Sequence, residues 1–170
     1  DDDVRRVIES NKSKMVSVLD PEYPDYLKQI YRPPFVLFYY GDISLIQSFE
    51  NCVSVVGSRE CSEYGKTNTK QIVKDLCDTY TIVSGLAEGI DLTSHKAAIE
   101  NKGRTVAILG TGIDICYPKE NYHTYNEIKE HHLLLSEYPG KSFPQNDSFP
   151  FRNRLIAALG KGLIVTEASM

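Results

Sequence analysis

The sequence predicts an α/β protein built on a doubly wound, mostly parallel sheet, and three observations carry that reading. Short aliphatic and β-branched runs at Val53–Val56, Thr81–Ser84, Thr105–Leu109, Leu133–Leu135 and Leu163–Thr166 alternate with segments of helical periodicity, the pattern of βαβ units. These runs are apolar throughout rather than alternating, as strands buried on both faces are. Three of them break into glycine-bearing polar turns: GSR at Gly57–Arg59, SGLAEGID at Ser84–Asp91 and GTGID at Gly110–Asp114. Right-handed crossovers send all strand carboxyl ends to one side, so the three turns are expected to line one crevice there.

Taken in order, Asp1–Ser13 places Val4, Val7 and Ile8 at helical spacing behind acidic residues, which predicts a short amphipathic helix. Met15–Leu19 is a short strand, the DPEYP stretch at 20–24 a turn, and Tyr26–Tyr31 one or two helical turns. After Pro33-Pro34, Phe35–Tyr40 reads as an aromatic strand closed by Gly41. Residues 1–50 are thus expected to form an N-terminal appendage packed on a core domain at 51–170. Tyr23, Tyr26, Tyr31, Tyr39 and Tyr40 fit half-buried packing or base stacking, packing being the commoner use. In the core, helices are expected at Ser62–Thr79, Leu92–Asn101, Tyr122–Glu130 and Arg152–Leu159, the last preceded by a polar, proline-bearing loop at Pro139–Pro150.

Composition narrows the function classes. With 170 residues and 41% apolar content the chain can build one good core. No apolar run approaches the roughly 20 residues needed to span a bilayer, and Asp1-Asp2-Asp3 is unlike a basic signal-peptide start. The cysteines, Cys52, Cys61, Cys77 and Cys116, form no CxxC pair, which favours reduced thiols and a cytoplasmic setting. A net charge of −4 argues against a surface coated in positive charge, so any nucleic-acid site must be a local patch. Neither G-x-G-x-x-G nor GxxxxGK[ST] is present, and no metal-ligand spacing appears. Neither a cofactor nor a metal is expected. Cys61 follows the GSR turn, but no sequence feature supplies a base to activate it, so a packed thiol is the simpler reading.

Glycine turns followed by helix amino ends offer backbone N–H groups and a positive dipole to an anion, most simply a phosphate. The competing reading is that each glycine merely ends a strand. Convergence of three turns, with Arg59 among them, favours the phosphate.

VVGSR at Val55–Arg59, SGLAEGID at Ser84–Asp91 with His95, GTGIDICYPKEN at Gly110–Asn121, LSEYP at Leu135–Pro139 and FPFRNRLIAAL at Phe149–Leu159 resemble the DNA-processing protein A family, also called DprA or Smf. The Tyr23–Gly41 strip is similar to the segment that precedes that domain in the family. The resemblance implies an extended Rossmann-like domain that binds single-stranded DNA without enzymatic activity. It further implies a role in natural transformation, with RecA recombinase loaded onto the strand by a cytoplasmic homodimer. In the family the EA motif, here Glu167-Ala168, runs on into a helix and a further strand, so the sheet is expected to be truncated at its C-terminal end.

Carried onto this chain, the expected DNA- and phosphate-binding residues are Gly57, Ser58, Arg59, Ser84, Gly85, Lys119, Arg152, Asn153 and Arg154, with no catalytic residue. Arg152 and Arg154 are expected to form a fork at a helix amino end. For these two arginines, ion pairs with Glu137 and Glu167 that fix the loop stand beside phosphate contact, evenly so for Arg154. Asp91 and Asp114 repel phosphate and are expected to cap helices or orient arginines. The alternative function is a Rossmann-like nucleotide phosphoribohydrolase or a nucleotide sensor in the same crevice. The first of these is disfavoured because no PGGxGT stretch is present.

Overall fold

A computed structural model describes residues 13–143 and 147–168; the helix expected at Asp1–Ser13 lies almost wholly outside them. Seven strands form one sheet in the order β1-β2-β6-β5-β4-β3-β7. These are β1 (Lys14–Ser17), β2 (Val36–Gly41), β3 (Cys52–Val56), β4 (Thr81–Ser84), β5 (Thr105–Gly112), β6 (Leu133–Tyr138) and β7 (Leu163–Val165). β3 to β7 pair in parallel, while β1 and β2 add an antiparallel pair against β6. The helices are α1 (Glu63–Leu76), α2 (Ile90–Glu100), α3 (Tyr122–His131) and α4 (Ser148–Leu159). Among the described residues no helix is long and apolar enough to cross a membrane.

Topology follows from the apolar runs. β4 and β5 are buried at every residue, which requires cover on both faces. On one face Val53, Val55 and Ile82 pack under α1 and α2, and Ala107, Leu109 and Leu134 under α3. On the other, Val83, Val106, Ile108 and Leu133 meet Leu155, Ile156 and Leu159 of α4, together with Tyr23, Leu27 and Ile46 of the N-terminal strip. The chain steps β3, β4, β5, β6 in one direction, and α4 then carries it back across the sheet to β7 beside β3. Strand order therefore reverses between β3 and β7, and ligands of open α/β sheets bind at such a switch point.

Two differences from expectation bear on the site, beyond shifted ends such as β6 running to Tyr138 rather than Leu135. β5 does not end at Leu109 but runs through a register irregularity to Gly112, which pairs with Tyr138. GTG is thus buried strand and not a phosphate turn. α4 begins at Ser148 rather than Arg152; Pro150 lies in its first turn, where a missing N–H costs no intrahelical bond. FRNR consequently sits beyond the helix's amino end.

A polar contact pins α2 to the base of β5. Thr105 Oγ1 donates to Ile82 O at 2.8 Å, so the fully buried His95 must donate its Nδ1–H to Thr105 Oγ1 at 2.7 Å. Its Nε2 is left without a partner among the described residues. Burial, and then the fields of His132 and Arg152, hold the His95 pKa down at about 3; burial likewise lowers His132. The unfolded chain takes up these protons near pH 6.5, so the stability is complete above that pH and is lost as pH falls towards the folded value. By pH 5 His95 alone should cost about 2 kcal/mol. Urea titrations at pH 7.5 and pH 5 check this: His95→Gln should lose clearly less stability between the two than the parent, and equal losses would refute it.

Candidate functional site

A cleft of about 550 Å³ opens at the switch point, lined by Gly57, Ser58 and Arg59 after β3, Asp91 of α2, Asn153 of α4 and Glu167 after β7. A smaller hollow of about 80 Å³ adjoins it, lined by Arg59, Gly85, Tyr117, Phe149 and Arg152. Arg59 and Arg152 border both. The GSR and SGLAEGID turns do meet, as the strand ends require.

Their backbone donors are largely taken by the protein itself. Ser58 N–H donates to Glu167 O at 2.8 Å, and Ile90 N–H, the first of α2, to Ser58 O at 3.2 Å. Gly85 N–H donates to Asp91 Oδ2 at 3.0 Å. At the start of α1 the Glu167 carboxylate accepts from Ser62 N–H at 2.9 Å and from Ser62 Oγ at 2.7 Å, and these bonds lower its pKa. The helix end expected to receive a phosphate thus holds the chain's own carboxylate. Ser84 is fully buried and donates its hydroxyl to Val55 O at 2.7 Å, tying β4 to β3. The Ser58 hydroxyl donates to Glu60 O at 3.0 Å.

The arginines divide by exposure. Arg152 is only 4% exposed; its Nη1 donates to Gly85 O at 2.8 Å and to Ile108 O. Burial lowers its pKa to about 10, against the favourable field of Asp91, so it stays charged at neutral pH. Gly85 has to be glycine here. A Cβ would stand 2.7 Å from Asp91 Oδ2 and 2.8 Å from the Arg152 guanidinium carbon.

Arg154 forms a two-pronged pair with Glu137, both contacts 2.6 Å, and donates from Nη2 to Arg32 O at 2.8 Å. The ion-pair reading of Arg154 is therefore the contact present. Arg59 and Asn153 are exposed at the cleft. Lys119 is exposed in the short turn Lys119–Asn121; it lines neither hollow, while Tyr117, two residues before it, lines the smaller.

Sequence reasoning missed the aromatic wall. The Arg59 guanidinium lies 5.9 Å from the Phe149 ring centroid, and Phe149 meets Tyr117 at 5.3 Å and 42°, with Tyr117 52% exposed. Phe149 rests on Gly110, where a Cβ would lie 2.6 Å from its ring. The signal was present in the FPFRNR stretch, hidden by reading Pro150 as a helix boundary. The three side chains place a cation beside a half-buried ring, Phe149, and an exposed one, Tyr117. Among the described residues no cluster of three or more His, Cys, Asp or Glu side chains could hold a metal ion.

Comparison with known proteins gives this geometry its context. The family model of DNA recombination-mediator protein A matches residues 14–170. DNA processing protein DprA of Streptococcus pneumoniae is 44% identical over 169 residues, 99% of this chain and 59% of that protein. The Bacillus subtilis DprA is 41% identical over 153 residues, 89% of this chain and 51% of that protein. The chain thus spans about half to three-fifths of these curated relatives. The X-ray structure of DNA processing protein A from Streptococcus pneumoniae, also 44% identical, matches with a TM-score of 0.93 over 100% of this chain and 59% of that one. That of Helicobacter pylori, described for that protein's single-stranded DNA binding mode, matches with a TM-score of 0.83 at 28% identity, over 95% of this chain and 72% of that one. A match across residues 14–170 at this level of identity means that the chain belongs to the DNA recombination-mediator protein A family, the DprA and Smf proteins.

Proposed function

We propose that the carboxyl-edge crevice binds single-stranded DNA and that the chain serves a recombination mediator with no catalytic step. The observation that carries the reading is Arg59, exposed where the two hollows meet and set beside the Phe149 ring. Single-strand binders need a cation for the backbone and a ring surface for the bases. Arg59 supplies the first; Phe149 and Tyr117 supply the second. Lys119 and Asn153 extend the polar rim, while Arg152, Ser84 and Gly85 hold the floor through their internal bonds.

A free nucleotide or dinucleotide fits less well. Such ligands are recognised by a cradle of backbone N–H groups at a helix start, and the donors of Ser58, Ser62 and Gly85 already have protein acceptors. A nucleotide phosphoribohydrolase or nucleotide sensor is nonetheless the reading to test against, because 550 Å³ would admit a mononucleotide. Family membership supports the further reading that the chain acts as a cytoplasmic homodimer that loads RecA onto strands taken up in transformation. A mediator must release its strand to the recombinase.

Labelled oligonucleotides titrated at two salt concentrations, with mononucleotide as competitor, test the proposal. Salt-sensitive oligonucleotide binding that mononucleotide does not displace is expected; mononucleotide cleavage, or preference for it, overturns the reading. Arg59→Ala should weaken binding by about 1–3 kcal/mol and flatten the salt slope by about 0.7, the loss of one single-strand phosphate contact. Phe149→Ala should cost about 1–3 kcal/mol as well but leave the salt slope in place, because stacking releases no counterions. Equal slope changes in the two variants would remove the division of labour.

A further inference from the structure

We infer that a second cation and ring platform, built from Tyr31, Arg32 and Phe151, extends the single-strand path beyond the crevice; this rests on the single-strand reading of the crevice itself. The Arg32 guanidinium lies 5.6 Å from the Tyr31 ring and 6.0 Å from the Phe151 ring. Arg32 is exposed and forms no ion pair among the described residues, and Tyr31 is 76% exposed. A bare cation between two rings is what a nucleotide strand recognises, with stacking for the base and charge for the phosphate.

The position is held against a conformational cost. Arg32 has φ of +51°, a left-handed backbone that a non-glycine residue adopts at a penalty of about 1–2 kcal/mol. Two bonds secure it. Arg154 donates to Arg32 O from Nη2 at 2.8 Å and from Nε at 3.3 Å, while its guanidinium stacks 3.7 Å from the Phe151 centroid and pairs with Glu137 at the end of β6. Glu137 neutralises Arg154 and leaves Arg32 as the platform's unpaired charge. A partly buried ion pair thus holds a strained residue whose side chain faces solvent, an arrangement that packing alone does not require.

The platform lies on the same sheet edge as the crevice. Arg59 follows β3, Gly85 follows β4, Phe149 sits over Gly110 of β5, and Glu137 with Arg154 marks β6. Phe149 and Phe151 are two residues apart in the first turn of α4 and face opposite sides of it. One ring serves the crevice and the other the platform, separated by about the 10–12 Å diameter of a helix.

Thymidine oligonucleotides of graded length, about 4–16 nucleotides, test this on the full chain. Affinity of the parent should step up once the strand is long enough to cross α4. Tyr31→Ala and Arg32→Gly should each lose roughly 5-fold or more of that step while binding the shortest oligonucleotides unchanged. Arg32→Gly relieves the positive φ, so its melting temperature should equal or exceed the parent's, separating lost contact from lost fold. Unchanged length profiles in both variants overturn the platform alone and leave the patch to a protein partner. Equal losses at every length overturn it too. Failure of the parent to bind any oligonucleotide overturns the crevice reading and the platform with it.

Discussion

The buried guanidinium of Arg152 is the constraint on which the site depends. It joins three elements at the sheet's carboxyl edge: α4 by its own backbone, β5 through Ile108 O, and the end of β4 through Gly85 O. Asp91, at the start of α2, supplies the compensating charge and holds Gly85 N–H. A buried cation without these partners would be strongly destabilising, by about 3–5 kcal/mol when one member of such a pair is removed. What this network sets is the placement of α4, and α4 carries Phe149, Asn153, Phe151 and Arg154. The groups that face a ligand are therefore oriented by a residue that scarcely meets solvent.

The same division runs through the other charges of this edge. Glu167 is bonded to the start of α1, Glu137 to Arg154, and Asp91 lies beside Arg152. Each of these three carboxylates is matched by donors inside the protein, while Arg59, Arg32 and Lys119 remain exposed, with the exposed Glu88 beside Arg59 in the smaller hollow. A net charge of −4 is then compatible with a locally positive rim, because counterion release depends on the cations that reach phosphate and not on the overall sum.

Strand positions were legible because buried parallel strands announce themselves as continuous apolar runs; Thr81–Ser84 needed nothing more, while Leu133–Leu135 marked the strand but not its end at Tyr138. The place of Arg59 at the cleft was legible for the same reason, since it is the first charged residue after such a run. Less visible was what long-range packing decides. GTG read as a turn because glycines interrupt the pattern, yet Gly110 and Gly112 stay in β5, the first so that Phe149 can lie on it. Glu167 belongs to a different turn in sequence and reaches Ser62 across 105 positions, so no local pattern could assign it to the start of α1. Arg152 and Arg154 looked alike in FRNR; two positions' difference on a helix sends the first under the sheet edge and the second to Glu137.

Occupied backbone donors also determine what kind of ligand the edge can accept. In a dinucleotide site specificity comes from N–H groups fixed around one pyrophosphate, and affinity is concentrated at that point. Here the GSR turn is closed by Glu167 and α2, and the SG turn by Asp91. Recognition passes to side chains spread along several strand ends, each contributing a modest amount. Such a surface would bind a mononucleotide weakly, because one ligand cannot reach more than one or two of the groups. A polymer would reach all of them at the translational cost of a single molecule, so its affinity for such an edge would rise with length. On the proposed function, that is the physical reason for the crevice to favour a strand over its monomer.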